Sequence, residues 1–396
     1  MERSTFPRRP TLSPLALGLL VGLVAANLRP LLASVGPMLP DLRADLALSG
    51  TAVAVMAGLG VLCLGLLAPV APRPARRWGI NRVLTGSLVA LVVGLLVRAT
   101  GGAVALFAGT VLACAGVAVA NVLLPAVIKR DFPSHPGPAM GVYTMALSGS
   151  AAVAAASTAP LAALLGLGWR GGLGVWAVPA TVALAAWVFG TRGGGNVPIQ
   201  PPPRGSVLRD ALAWQVTAFF GLVGLGFHAL LVWLPSIYRA QGLGAQEAGL
   251  LLSVLVLVQA PVALVVPRFA VRARNQQRQV VLATALTGIG LAGLLLAPLV
   301  APYLWVLVLG LGQGANFSLS LTMFVLRTRS SGDTARVSAL AQTVGYLIAA
   351  LGPLLLGALN DITGSWTPAL LLLLAVLVPQ LAAGLFAGRD RHVQTS

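Results

Sequence analysis

GTRGGGNVPIQPPPRGS, residues 190–206, is Gly-rich and then Pro-rich and lies near the centre of a 396-residue chain. Such a stretch reads as a linker, because glycine frees the backbone and clustered prolines hold it extended. On either side of it the chain falls into apolar runs of the length, about 17–25 residues, that a bilayer core requires of a helix. Before the linker they lie at roughly 13–36, 49–71, 81–99, 102–128, 138–165 and 171–190. After it they lie at roughly 210–235, 246–267, 279–298, 301–326, 335–358 and 366–387. The linker thus separates a six-helix N-terminal bundle, 1–189, from a six-helix C-terminal bundle, 210–396, with 190–209 joining them in the cytoplasm.

Composition supports this division. Hydrophobic residues make up 57% of the chain and charged residues only 9%, against about 25% charged in soluble domains. Mean hydropathy is +0.91. The chain reads as an all-α membrane protein with twelve transmembrane helices, its surface facing lipid. A net charge of +17 would suggest nucleic acid in a soluble chain, but here the arginines are scattered through short loops and form no basic domain. With the N-terminus inside, 21 of the 26 Lys and Arg residues fall in inner segments, and only Arg29, Arg43, Arg98, Arg170 and Arg239 do not. That asymmetry follows the positive-inside rule and puts both termini in the cytoplasm. Arg3, Arg8 and Arg9 precede the first run as in a signal peptide, yet the run is too long and too many follow it, so it reads as an uncleaved span. Cys63 and Cys114 lie within apolar runs as small buried side chains, with no disulfide framework.

The halves repeat. A shift of 195 residues carries Pro40 to Pro235, Pro72 to Pro267, Arg73 to Arg268 and Asn121 to Asn316, with MLPDL matching WLPSI and VAPRPARR matching VVPRFAVR. Parallel repeats around a midplane site are an architecture of secondary transporters.

Within the first run one residue is charged, Arg29, in the sequence Asn27-Leu28-Arg29-Pro30. If Leu15 lies near one face, Arg29 is about 21 Å further on at ~1.5 Å per residue, beyond the midplane of a ~30 Å core. A charge there costs at least ~2.5–3.5 kcal/mol, so it faces a polar cavity or a partner. Pro30 has no N–H to give the Ala26 carbonyl, which predicts a break that exposes backbone polarity beside the guanidinium. The competing reading has Arg29 snorkel to the headgroups or serve as a pin held by carbonyls.

Other polar residues at membrane depth are Asn121, Tyr143, His228, Gln259, Gln313, Asn316, Gln342 and Tyr346. Any one of them alone reads more readily as a hydrogen bond between helices than as a ligand contact. Asn27, Arg29, Asn121, Tyr143, His228, Trp233, Gln313, Asn316, Gln342 and Tyr346 are the candidate substrate residues. Arg29 would take a negative end and the amides and histidine would supply directional hydrogen bonds. Tyr143, Trp233 and Tyr346 would form walls. His228 has two readings, a proton-coupling switch or a neutral imidazole bonded to a neighbouring span. Asp and Glu lie only at or beyond the ends of the spans, as Asp210 and Glu247 do, and none lies in a span's interior. An arginine without a counter-charge favours an anionic or electron-rich solute.

NLRPLLASVGPMLPDL (27–42), ANVLLPAVIKRDFP (120–133), WLPSIYRAQG (233–242), GQGANFSLSLTMFVLRTR (312–329) and AQTVGYLIAALGPLLLGALNDITG (341–364) resemble the cyanate-transporter and nitroimidazole-transporter family of the major facilitator superfamily. The resemblance implies the major facilitator fold, rocker-switch transport across a bacterial cytoplasmic membrane, a monomer, and a small anionic or polar organic substrate, with no cofactor and no metal. The superfamily's loop signature between spans two and three is degraded to GLLAPVAPRPARRWGINR, without its acidic residue. The alternative function is a broad-specificity drug exporter. A receptor has no cytoplasmic readout domain here, an enzyme has no catalytic constellation, and a channel fits poorly with two repeated halves.

Overall fold

The structure, a computed structural model, describes residues 13–47, 50–192 and 207–394. Arg3, Arg8, Arg9, Arg204 and most of the linker lie outside the described residues. Every regular element among those described is helical. The N-terminal half contains α1 (Pro14–Ala25), α2 (Pro30–Ala33), α3 (Val35–Asp45), α4 (Gly50–Leu67), α5 (Pro72–Trp78), α6 (Ile80–Thr100), α7 (Ala103–Asp131), α8 (Pro136–Leu165), α9 (Gly168–Gly174) and α10 (Ala177–Thr191). The C-terminal half contains α11 (Ala211–Ala240), α12 (Ala245–Arg272), α13 (Gln277–Leu296), α14 (Pro302–Leu326), α15 (Ser331–Thr363) and α16 (Thr367–Ala387). Among the described residues eleven helices, counting α1–α3 and α9–α10 each as one span, are long and apolar enough to cross a membrane. The shorter apolar helix Leu59–Val70 holds the place of the second span. The result is a twelve-span, two-half membrane protein.

Small residues set the closest packing, as lipid-embedded helices gain from close backbone approach. A Cβ on Gly94 of α6 would stand 2.4 Å from the Ala113 nitrogen, and one on Gly109 of α7 would stand 2.4 Å from the Arg98 nitrogen. Those two helices therefore touch backbone to backbone. The C-terminal ends of α8 and α15 stop at Gly166 and Gly364, whose φ of 64° and 66° is the left-handed conformation that terminates a helix.

The first span breaks where Pro30 predicts. Helix α1 stops at Ala25, two tight bonds follow (Asn27 N–H to the Val24 carbonyl, Leu28 N–H to that of Ala25), and α2 begins at Pro30. Among the described residues no backbone N–H reaches the carbonyls of Ala26, Asn27 or Leu28. Beyond the break, Asp45 at the end of α3 accepts bonds from Trp169 Nε1 and Arg170 Nη1, both at 2.9 Å. These two donors hold the Asp45 carboxyl below the ordinary carboxylate range. The strap is therefore intact at neutral pH and lost on strong acidification.

Prolines also shape the seam between the halves. A proline four residues on deprives a helical carbonyl of its donor. Pro125 frees the carbonyl of Asn121 on α7, and Gln342 Nε2 of α15 occupies it at 3.0 Å. Pro267 frees the carbonyl of Ala263 on α12, and Thr144 Oγ1 of α8 occupies it at 2.7 Å, beside Ser318 Oγ at 3.1 Å. Each half thus offers a proline-freed acceptor to a side chain of the other. Lys129 Nζ adds a bond to the Val325 carbonyl at 3.1 Å. A Cβ on Gly141 of α8 would stand 2.5 Å from the Leu264 carbonyl oxygen of α12, and one on Gly137 2.8 Å from that of Pro267. Among the described residues, the hydrogen bonds joining the halves lie at the middle of the spans or toward the basic-loop end. The gate there is latched by neutral side chain–carbonyl bonds, a lysine–carbonyl bond and glycine contacts.

Thr144→Val keeps the shape and removes the donor, a bond worth ~0.5–1.5 kcal/mol. In a protein with Cys63 and Cys114 replaced, a cysteine at Val271, which packs against Gly137, is expected to be alkylated about two- to twelvefold faster in this variant. An unchanged rate would remove Thr144 from the latch.

Candidate functional site

Arg29 caps the start of α2, on the broken turn of the first span. Its guanidinium carbon lies 5.5 Å from the centre of the Phe317 ring on α14, in the other half. The residue is only partly buried, and among the described residues its guanidinium makes no hydrogen bond or ion pair. Its charge bears on Tyr143 of α8 and on His228 and Tyr346 of α11 and α15. A guanidinium with five donors thus stands at the seam with one aromatic face as its contact.

The wall opposite is aromatic. Phe220 of α11 packs edge-on to Tyr346 at 5.5 Å and tilted to Phe317 and Phe324 at 6.4 and 5.5 Å. Gln313 lies one turn from Phe317 on the same face of α14. It is 5% exposed, and its Oε1 has no hydrogen-bond partner. Gly226 of α11 leaves it room, since a Cβ there would sit 3.5 Å from Gln313 Nε2. His228 shares Nδ1 with the Gly224 carbonyl at 2.8 Å. Because a carbonyl only accepts, Nδ1 carries the proton and Nε2 presents a lone pair.

On the N-terminal side, the Tyr143 hydroxyl reaches Asn121 Oδ1 at 3.5 Å. Asn121 and Gln342 are joined across the seam by the latch, and Gln342 also binds Ser338 Oγ at 2.8 Å. Asn27 turns its amide back to the Leu23 carbonyl at 2.8 Å. Gln259 likewise bonds its own helix at Leu255.

Two candidates are directed elsewhere. Asn316 is bonded through Oδ1 to Thr284 and through Nδ2 to Thr287, both at 3.3 Å, so its amide faces α13 within its own half. Trp233 donates to the Pro353 carbonyl at 2.8 Å and packs on Trp366 at 5.2 Å, in the C-terminal parts of α11 and α15 beside the start of α16. The structure therefore gathers Arg29, Tyr143, His228, Gln313 and Tyr346 around the seam, with Asn121 and Gln342 at its latch. Sequence reasoning missed Phe317 and Phe220. Phe317 is four residues from Gln313, so the helical period was the signal that placed them on one face.

Residues 15–353 match the family model of the Major Facilitator Superfamily. The chain is 37% identical to the uncharacterized transporter YycB of Bacillus subtilis (strain 168), over 93% of this chain and 92% of that one. It is 33% identical to the 2-nitroimidazole transporter of Escherichia coli (strain K12), over 94% and 95% of the two chains. Identity to the cyanate transport protein CynX of the same organism is also 33%, over 88% and 91%. The fold matches that of the proton:xylose symporter XylE with a TM-score of 0.74 at 12% identity, covering 96% of this chain and 98% of that one. Twelve spans in two halves, a cation at their seam and this likeness along the whole length together establish the chain as a transporter of the Major Facilitator Superfamily.

Proposed function

We propose that the protein carries a small anionic or polar solute, of the kind that cyanate and 2-nitroimidazole represent, across the bacterial cytoplasmic membrane. It works as a monomer, with both termini and the 190–209 linker in the cytoplasm. The halves 1–189 and 210–396 rock about a site at Arg29. The observation that carries this reading is the Arg29 guanidinium, in the first membrane-length span and against Phe317 of the other half, with no carboxylate and no hydrogen bond among the described residues. A charge so placed costs several kcal/mol unless something completes it, and a solute bearing negative charge or a nitro group does so with charge-assisted bonds.

In this mechanism the solute enters from the end opposite the latch. It takes the Arg29 donors while its flat body lies against Phe317 and Tyr346. The Gln313 amide and the Tyr143 hydroxyl then fix its orientation, and His228 Nε2 is the atom that takes a coupling proton. Asn121 and Gln342 connect the occupied site to the latch. The relatives' substrates support the solute class, and the aromatic wall supports the planar member of it.

Arg29→Gln is expected to weaken counterflow of cyanate and 2-nitroimidazole in proteoliposomes by about tenfold or more, with measurable residual transport. Equal counterflow by the variant and the wild-type protein would end the reading, and transport of unrelated cationic drugs by both would favour a broad drug exporter. His228→Gln is expected to keep counterflow but lose transport driven by a pH gradient. Gradient-driven transport that survives the substitution would take the proton away from His228.

A further inference from the structure

Arg98 of α6 is completely buried, at 0% exposure, and among the described residues it has no carboxylate partner. Its Nη1 donates to the Leu31 carbonyl at 2.9 Å, and its Nη2 donates to Ser34 Oγ at 3.1 Å and to the Leu173 carbonyl at 3.2 Å. Leu31 is in the last turn of α2 and Leu173 in the last turn of α9. Carbonyls in the last turn of a helix have no donor from their own helix. One guanidinium therefore caps two helix ends, at the break in the first span and at the break in the sixth. Two helix-end carbonyls and a hydroxyl stand in for a counter-ion.

The anchor from which Arg98 reaches is rigid. The Gly94–Gly109 contact presses α7 against α6, so that a Cβ on Gly109 would stand 2.9 Å from the Arg98 Cα. The turn it caps is the one that carries Arg29, whose carbonyl accepts the N–H of Leu32 at 3.0 Å and of Ala33 at 3.1 Å. We infer that Arg98 is a positioning residue for the solute site: by tying the Leu31–Ser34 turn to the sixth span it holds Arg29 facing the seam. The inference rests on the substrate role proposed for Arg29. It also explains why an arginine is needed. A lysine ammonium is a point charge on a flexible stem and does not span three acceptors set in a fork.

The test is the KM and maximal rate of cyanate and 2-nitroimidazole uptake in proteoliposomes for Arg98→Ala, Arg98→Lys and Ser34→Ala, each alone and combined with Arg29→Gln. Arg98→Ala is expected to raise KM on the order of tenfold, Arg98→Lys and Ser34→Ala a few-fold, and the maximal rate to change less than KM. In the Arg29→Gln background the same substitutions are expected to add less than about twofold, since residues acting through one another are non-additive. A KM unchanged by all three, or raised as much with Arg29→Gln present as without it, overturns the positioning role. If Arg98→Ala does not fold, Arg98→Lys and Ser34→Ala decide the same comparison. If Arg29→Gln alone leaves KM unchanged, the proposed role of Arg29 has failed. A raised KM at Arg29 with none at Arg98 or Ser34 sinks the positioning role alone.

Discussion

In hydrocarbon a backbone carbonyl without a donor has no water to turn to, so its partner must come from the protein. That constraint organises this molecule. Prolines in the helices and breaks in the first and sixth spans release carbonyls, and four of these are answered by a particular side chain. Asn121 and Ala263 are answered across the seam by Gln342 and Thr144. Leu31 and Leu173 are answered within one half by Arg98. The same device thus serves as a latch where donor and acceptor belong to different halves, and as a strut where they belong to the same half.

Two arginines of the N-terminal half, Arg98 and Arg29, show how partners separate roles, although the buried Arg98 Nε has no hydrogen-bond partner among the described residues. Both lie on membrane-length spans, and neither has a carboxylate partner among the described residues. Arg98 has three oxygens and no exposure, which makes it structure. Arg29 has an aromatic face and open donors, which leaves its charge available to whatever enters the seam. Depth alone does not distinguish them. The partners do.

Much of this was legible in the sequence, because a membrane helix announces itself by length and apolar content. The expected run 102–128 is α7, Ala103–Asp131, and 279–298 is α13, Gln277–Leu296. The break at Pro30 follows from a missing N–H, although the chain leaves the helix earlier, from Ala26, than the proline alone requires. What the sequence hides is angular position. A soluble helix shows its buried face by a polar one opposite, whereas these helices are apolar all round, so nothing in α14 tells which of Gln313, Asn316 and Phe317 looks toward the seam. Asn316, equivalent to Asn121 under the repeat, turns to the threonines of α13. Arg98 reads as a cation near an outer loop, because its acceptors exist only once two other spans have broken beside it. The degraded loop signature, lacking its acid, reads as a missing latch, while the latch resides in Pro125 and Pro267.

Bond strength argues that this kind of latch suits a carrier. An intramolecular hydrogen bond is worth ~0.5–1.5 kcal/mol net, and those between membrane helices average about 0.6 kcal/mol. The bonds that join the halves therefore hold the gate by no more than a few kcal/mol. Moving a two-state equilibrium from one side nearly fully to the other takes about 5.5 kcal/mol of differential binding, a quantity that one solute forming charge-assisted bonds with Arg29 in one state and losing them in the other can supply. A buried ion pair broken on opening would leave uncompensated charge, at a cost of about 3–5 kcal/mol for each partner removed, and would require a larger driving force on every cycle. With carbonyl acceptors exposed by proline, and glycines at positions 137 and 141 allowing the backbones to meet, the closed state is specific without being deep.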